Sequence, residues 1–106
     1  MAKKGNTYQL SLQLVSLASG EAPAQEKSTK FLFDNHDELF GIIEKVQNKN
    51  IFNNKQQAAE FAIGLKMFSE VMLKHRNYPL FEELLPAFGS FMKRLKTSWL
   101  LSGSKR

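Results

Sequence analysis

From Tyr8 to Val15 the chain alternates. Tyr8, Leu10, Leu12 and Leu14 fall on one side, and Gln9, Ser11 and Gln13 on the other. Period two with one apolar and one polar side predicts a half-buried strand. The stretch "SLASGEAPAQEKS" that follows holds Gly20 and Pro23 among small and polar residues and reads as a loop. "TKFLFD" then sets Phe31 and Phe33 on one face, which predicts a second strand. Sequential strands joined by a loop are usually spatial neighbours, so an N-terminal antiparallel β-hairpin is expected.

The period changes after Asp34. Asn35 and Glu38 have the capping-box spacing, and Leu39, Ile42, Ile43 and Val46 recur at helical intervals. "NKNIFNN" ends this first helix, and Asn54 with Gln57 repeats the cap signal for a second. In the second helix Ala58, Phe61, Ala62, Leu65, Phe68, Ser69, Met72 and Leu73 make one face. Ile63, Met67 and Val71 add another stripe. A helix apolar on more than one side touches two neighbours, so this one is expected at the centre.

A third helical region, "PLFEELLPAFGSFMKRLK", carries Phe81, Leu84, Leu85, Phe88, Phe91, Met92 and Leu95 at helical spacing with Pro86 in its middle. A proline disfavours the helical conformation in the residue before it, here Leu85. A short turn of helix followed by a new helix from Pro86 is therefore expected. Gly64 and Gly89 fall inside helices, where glycine is about 1 kcal/mol worse than alanine. Close helix–helix approach is the expected reason. The fold class expected is α+β: the hairpin, then three to four helices. Residues 1–5 read as a flexible N-terminus, 6–97 as a single domain and 98–106 as a C-terminal tail, with no role assigned to Trp99, Leu100 and Leu101.

Composition narrows the chemistry. At 106 residues there is room for one core, and nine phenylalanines supply much of it. The absence of cysteine excludes a disulfide framework, a thiolate metal site and cysteine catalysis, and fits a cytoplasmic location. No long apolar run follows Lys3 and Lys4, so no secretory signal or membrane span is expected. The net charge is +5, but Lys3, Lys4, Lys105 and Arg106 sit at the ends. They leave eleven basic residues against ten acidic ones between them. The body of the chain is near neutral, so nucleic acid is a possible partner but not the favoured one.

Two basic clusters stand out: Lys74, His75 and Arg76 before an Asn-Tyr-Pro break, and Lys93, Arg94 and Lys96 further on. Cations in the last turn of a helix complement its dipole by about 0.3–1 kcal/mol each. Helix closure is the reading adopted for both. The alternative is that the clusters meet and bind an anion, a phosphate backbone or an acidic partner.

Catalytic and metal signals are poor. His36 and His75 are far apart in sequence, while a catalytic zinc wants three protein ligands. His36, Asp37 and Glu38 read as the first turn of a helix, where acidic residues suit the dipole. No metal or other cofactor is expected. Ser11, Ser69 and Ser90 lack a nucleophile-elbow context. Ser69 is expected to bond back to the carbonyl four residues earlier. Glu82 and Glu83 are adjacent and point apart on a helix. No glycine-rich phosphate loop is present. Tyr8, Phe31 and Phe33 read as core, not as a base-stacking platform, because a two-stranded hairpin must bury a face.

"NHDELF", "GLKMFSEVMLKHR", "PLFEELLPAFGSFMKRLK" and the Gly-Asn-x-Tyr start together resemble a family of small, stand-alone bacterial proteins classed as a domain of unknown function. The resemblance spans roughly residues 4 to 96. It implies a compact α+β domain of bacterial, cytoplasmic origin, and carries no activity, cofactor or site residue.

The function expected is a non-catalytic binding or protein-interaction domain that self-associates as a homodimer. The contact surfaces expected are the open sheet edges and the Ile63, Met67, Val71 stripe. Weak, salt-dependent nucleic-acid or anion binding through the basic clusters comes second. Third is an enzyme with His36 or His75 as general base, which would need a polar pocket around one of them.

Overall fold

The computed structural model describes residues 5–104, with side chains through Thr97. Its element order is β1 (Asn6–Gln13), β2 (Ser28–Asn35), α1 (Leu39–Lys49), α2 (Lys55–Lys74), α3 (Pro79–Glu82) and α4 (Leu84–Ser104). This is the expected α+β arrangement of a hairpin followed by four helices. The chain divides after Asp37 into two compact units, one holding the strands and one the helices.

In the first unit β1 and β2 form a two-stranded antiparallel sheet. β1 begins two residues before the alternation does and ends at Gln13. Tyr8 lies opposite Phe33, Leu10 opposite Phe31 and Leu12 opposite Thr29. Tyr8, Leu10, Leu12, Phe31 and Phe33 therefore share one face, as period two requires, and Leu32 lies on the other. The rings of Tyr8 and Phe33 stack at 5.5 Å, and Phe31 meets Phe33 edge-on at 6.4 Å. Gly20, at φ +95°, makes the turn in the connecting loop, where its N–H donates to the Leu17 carbonyl at 2.8 Å. Gly5 is explained by space. A Cβ there would meet the Asn35 carbonyl carbon and oxygen at 3.0 Å and the His36 nitrogen at 3.1 Å.

Asn35 does not cap α1. It ends β2, is 1% exposed, and its Oδ1 accepts the Asp37 N–H at 3.0 Å. This is the short Asx loop by which asparagine competes with helix formation. The Asp37 carbonyl in turn accepts the Tyr8 hydroxyl at 3.0 Å and Asn6 Nδ2 at 3.3 Å. The cap of α1 is Glu38, whose carboxylate accepts the N–H groups of Phe40 and Gly41 at 3.1 and 3.0 Å.

In the second unit the expected stripe of α1 is realised. Leu39 and Val46 are buried, and Ile42 and Ile43 pack partly buried against a core of Val46, Ala58 and Ala62. Asn50 closes α1 in the left-handed conformation, and Gln47 Nε2 bonds the Lys55 carbonyl at 3.0 Å. Asn54 caps α2 as its sequence signals, accepting the Gln57 N–H at 2.9 Å. The small side chains of Ala58 and Ala62 let α1 lie against one side of α2. On the other side Phe68 reaches Phe81 of α3 and Phe88 of α4, and Phe61 reaches Phe91 of α4, all at 6.2–6.4 Å. α2 thus touches α1, α3 and α4, as a central helix should, but these contacts come from its first apolar face and not from the Ile63, Met67, Val71 stripe.

The turn-then-helix reading around Pro86 holds with a shift. α3 is a single turn with Pro79 at its start, and α4 begins at Leu84. Pro86 lies third in α4, within the first turn, where its missing N–H leaves no bond unmade. Leu85 is helical despite preceding a proline. α4 continues through Ser104 into the stretch expected to be a tail, and the side chains of Trp99, Leu100 and Leu101 lie outside the described residues.

The helical glycines do not mark close approach. Among the described residues a Cβ added at Gly64 or Gly89 meets nothing within 4 Å. Alanine at either position should stabilise the chain by about 1 kcal/mol, since it removes unfolded-state freedom without a clash. Urea denaturation of both single variants and the double variant checks this, with additive gains expected for sites on separate helices.

Candidate functional site

The residues singled out by sequence occupy three places. Lys74 is the last residue of α2. His75 is its C-cap, with its N–H on the Met72 carbonyl at 3.1 Å, and Arg76 lies beyond the helix. The turn continues through a bond from the Tyr78 N–H to the His75 carbonyl at 2.9 Å, and the two rings lie 4.6 Å apart. Helix closure therefore accounts for Lys74 and His75 but not for Arg76, which is exposed.

Lys93, Arg94 and Lys96 are exposed along α4, and since α4 runs to Ser104 they do not close it. The ring pairs set the relative direction of the two long helices: Phe68 faces Phe88, and Phe61 faces Phe91. Their order is reversed between the two helices, so Lys74 and Lys93 follow these ring pairs in opposite directions along the contact.

Of the second stripe on α2, Ile63 and Met67 are half-buried and Val71 is 53% exposed. Phe68, three residues before Val71 and so beside it on the helix, is 44% exposed. On the hairpin the apolar face opens toward the loop. Tyr8, Leu10 and Phe33 are half-buried, but Phe31 is 44% and Leu12 64% exposed. Two open grooves of about 420 and 550 Å³ lie at this end of the hairpin, between Ser11–Leu14 and Lys27–Lys30. The sheet has one strand on each side, so β1 and β2 each present an edge without a strand neighbour among the described residues. On the opposite, polar face Leu32 is 66% exposed, an apolar residue that alternation alone does not call for.

Among the described residues the ionisable side chains form no catalytic constellation. His36 sits in the loop before α1, not in the helix, 65% exposed and 3.8 Å from the Asp37 carboxylate. Neither histidine lines the two grooves. Among the described residues no three His, Asp or Glu side chains are grouped to hold a metal ion. Ser69 is buried, with its hydroxyl on the Lys66 carbonyl three residues back at 3.3 Å instead of the fourth. No described helix is long and apolar enough to cross a membrane.

Comparison with known proteins agrees with the fold. No curated protein matches the chain. A crystal structure of a protein of unknown function from Pectobacterium atrosepticum SCRI1043 is similar at 35% identity and a TM-score of 0.75, covering 88% of this chain and 98% of that one. Residues 6–97 match the family described as a Domain of Unknown Function with solved structure, DUF3861. The hairpin, the four helices and this match across nearly the whole described chain lead to one statement of kinship: the protein belongs to the DUF3861 family.

Proposed function

We propose that this protein is a non-catalytic interaction domain that self-associates as a homodimer. The observation that carries the reading is the hairpin. A two-stranded hairpin is marginal in water unless further strands or a packing surface complete it. Here Leu12, Phe31 and Leu32 remain 64%, 44% and 66% exposed, and neither strand has a second strand neighbour among the described residues. Open edges next to exposed apolar side chains are natural pairing sites. The Val71 and Phe68 patch on α2 is a second surface of the same kind.

Light scattering at micromolar concentration tests the reading. A mass of twice 12.1 kDa is expected. A mass of 12.1 kDa at every concentration examined would reject it.

A further inference from the structure

We infer that the edge of β2 pairs with the same edge of a second copy, antiparallel and centred on Leu32, to make a four-stranded sheet. The inference rests on the self-association reading and names its interface.

The phase of the ladder decides which backbone groups are available. The Leu14 N–H donates to the Lys27 carbonyl at 2.9 Å, and Leu14 and Lys27 are in the same register as the strands. Antiparallel pairs alternate between hydrogen-bonded and non-hydrogen-bonded. Counting along the register, Leu12–Thr29, Leu10–Phe31 and Tyr8–Phe33 are hydrogen-bonded pairs. Ser11–Lys30, Gln9–Leu32 and Thr7–Asp34 are not. The N–H and C=O groups of Lys30, Leu32 and Asp34 therefore point away from β1, toward the open edge.

These three residues read as a self-complementary set. About a twofold axis at Leu32, Leu32 meets its own copy, Lys30 meets the copy's Asp34, and Asp34 meets the copy's Lys30. All three are hydrogen-bonded pairs, and opposite charges directly across a pair are favourable. Twofold registers centred on Lys30 or Asp34 would oppose like charges. Those centred on Phe31 or Phe33 would set a charge against Leu32. On the other face Phe31 comes opposite the copy's Phe33, which covers a ring now 44% exposed. The pairing also accounts for Leu32 itself, an exposed leucine flanked by Lys30 and Asp34 on the polar face. β1 carries no charged residue between Asn6 and Gln13 and has no comparable register signal.

The chain has no cysteine, so single cysteines report contacts cleanly. Facing hydrogen-bonded residues have Cα atoms about 5.5 Å apart, within the usual disulfide range of about 4.4–6.8 Å. Leu32→Cys should cross-link to a dimer under mild oxidation. Gln9→Cys, on the same face of β1, should not. Lys30→Glu should weaken the dimer roughly ten-fold, and adding Asp34→Lys should restore it. Cross-linking at Leu32→Cys with rescue by the charge swap supports the inference. A dimer by light scattering that cross-links through Val71→Cys and not Leu32→Cys would overturn the interface while sparing self-association. A chain monomeric at every concentration would overturn both.

Discussion

Met72→Ala should lower the stability of the chain by about 2–5 kcal/mol. Met72 is fully buried and is the largest side chain so enclosed among the described residues. Truncating a buried methionine loses the transfer free energy of its removed atoms and leaves a cavity that its surroundings fill only in part. Against a typical domain stability of about 5–15 kcal/mol, that is a large fraction. Urea denaturation followed by far-ultraviolet circular dichroism measures it, at one protein concentration so that association does not shift the midpoint. Val71→Ala, one residue away and 53% exposed, is the control and should change stability by no more than about 0.5 kcal/mol within the folded monomer. Equal losses from the two variants would mean that the buried face of α2 has been wrongly identified.

Asn35→Ala should cost about 1–3 kcal/mol, the penalty for leaving a hydrogen-bonding group without its partner. The Asn35 side chain is 1% exposed, and its Oδ1 takes the Asp37 N–H at 3.0 Å. Glu38→Ala removes the actual cap of α1, which is exposed, and should cost about 1 kcal/mol. The order of the two effects discriminates between roles. If Asn35 were only a surface cap, its loss would be no worse than that of Glu38. A thermal melt of both variants beside the parent reads this directly, with Asn35→Ala expected to melt lower.

Several misreadings share one cause. Asn35 with Glu38 has the spacing of a capping box, and Asn54 with Gln57 has the same spacing. Only Asn54 is a cap. A local motif names the bonds a side chain can make, and the strand pairing that holds Asn35 at the end of β2 selects which one forms. Lys93, Arg94 and Lys96 resemble the end of a helix because basic residues gather there. Leu95 and Trp99 sit four apart in the sequence, however, and that spacing signals that the helix continues. The glycines show the same limit. Gly5, Gly64 and Gly89 look equally isolated in sequence, yet only at Gly5 does neighbouring backbone occupy the space of a side chain.

Leu32 is the residue of the proposed interface that the sequence pattern passes over. An apolar residue on the wet side of a strand is unremarkable alone, since many surfaces carry single leucines. It gains meaning from the ladder phase, which turns its backbone outward, and from Lys30 and Asp34 two residues to either side.

The sequence by itself determined the element types and their order. Period two in the first strands and period 3.6 from Leu39 onward are properties of backbone geometry, and each buried face follows from them. It also placed the α2 cap at Asn54. The tertiary structure alone decided that Asn35 joins the strand ladder instead of capping α1, that neighbouring backbone crowds Gly5, and that space is open at Gly64 and Gly89. Each depends on distances between residues remote in sequence. Periodicity fixes which way a side chain points, while its surroundings are set by how the elements pack.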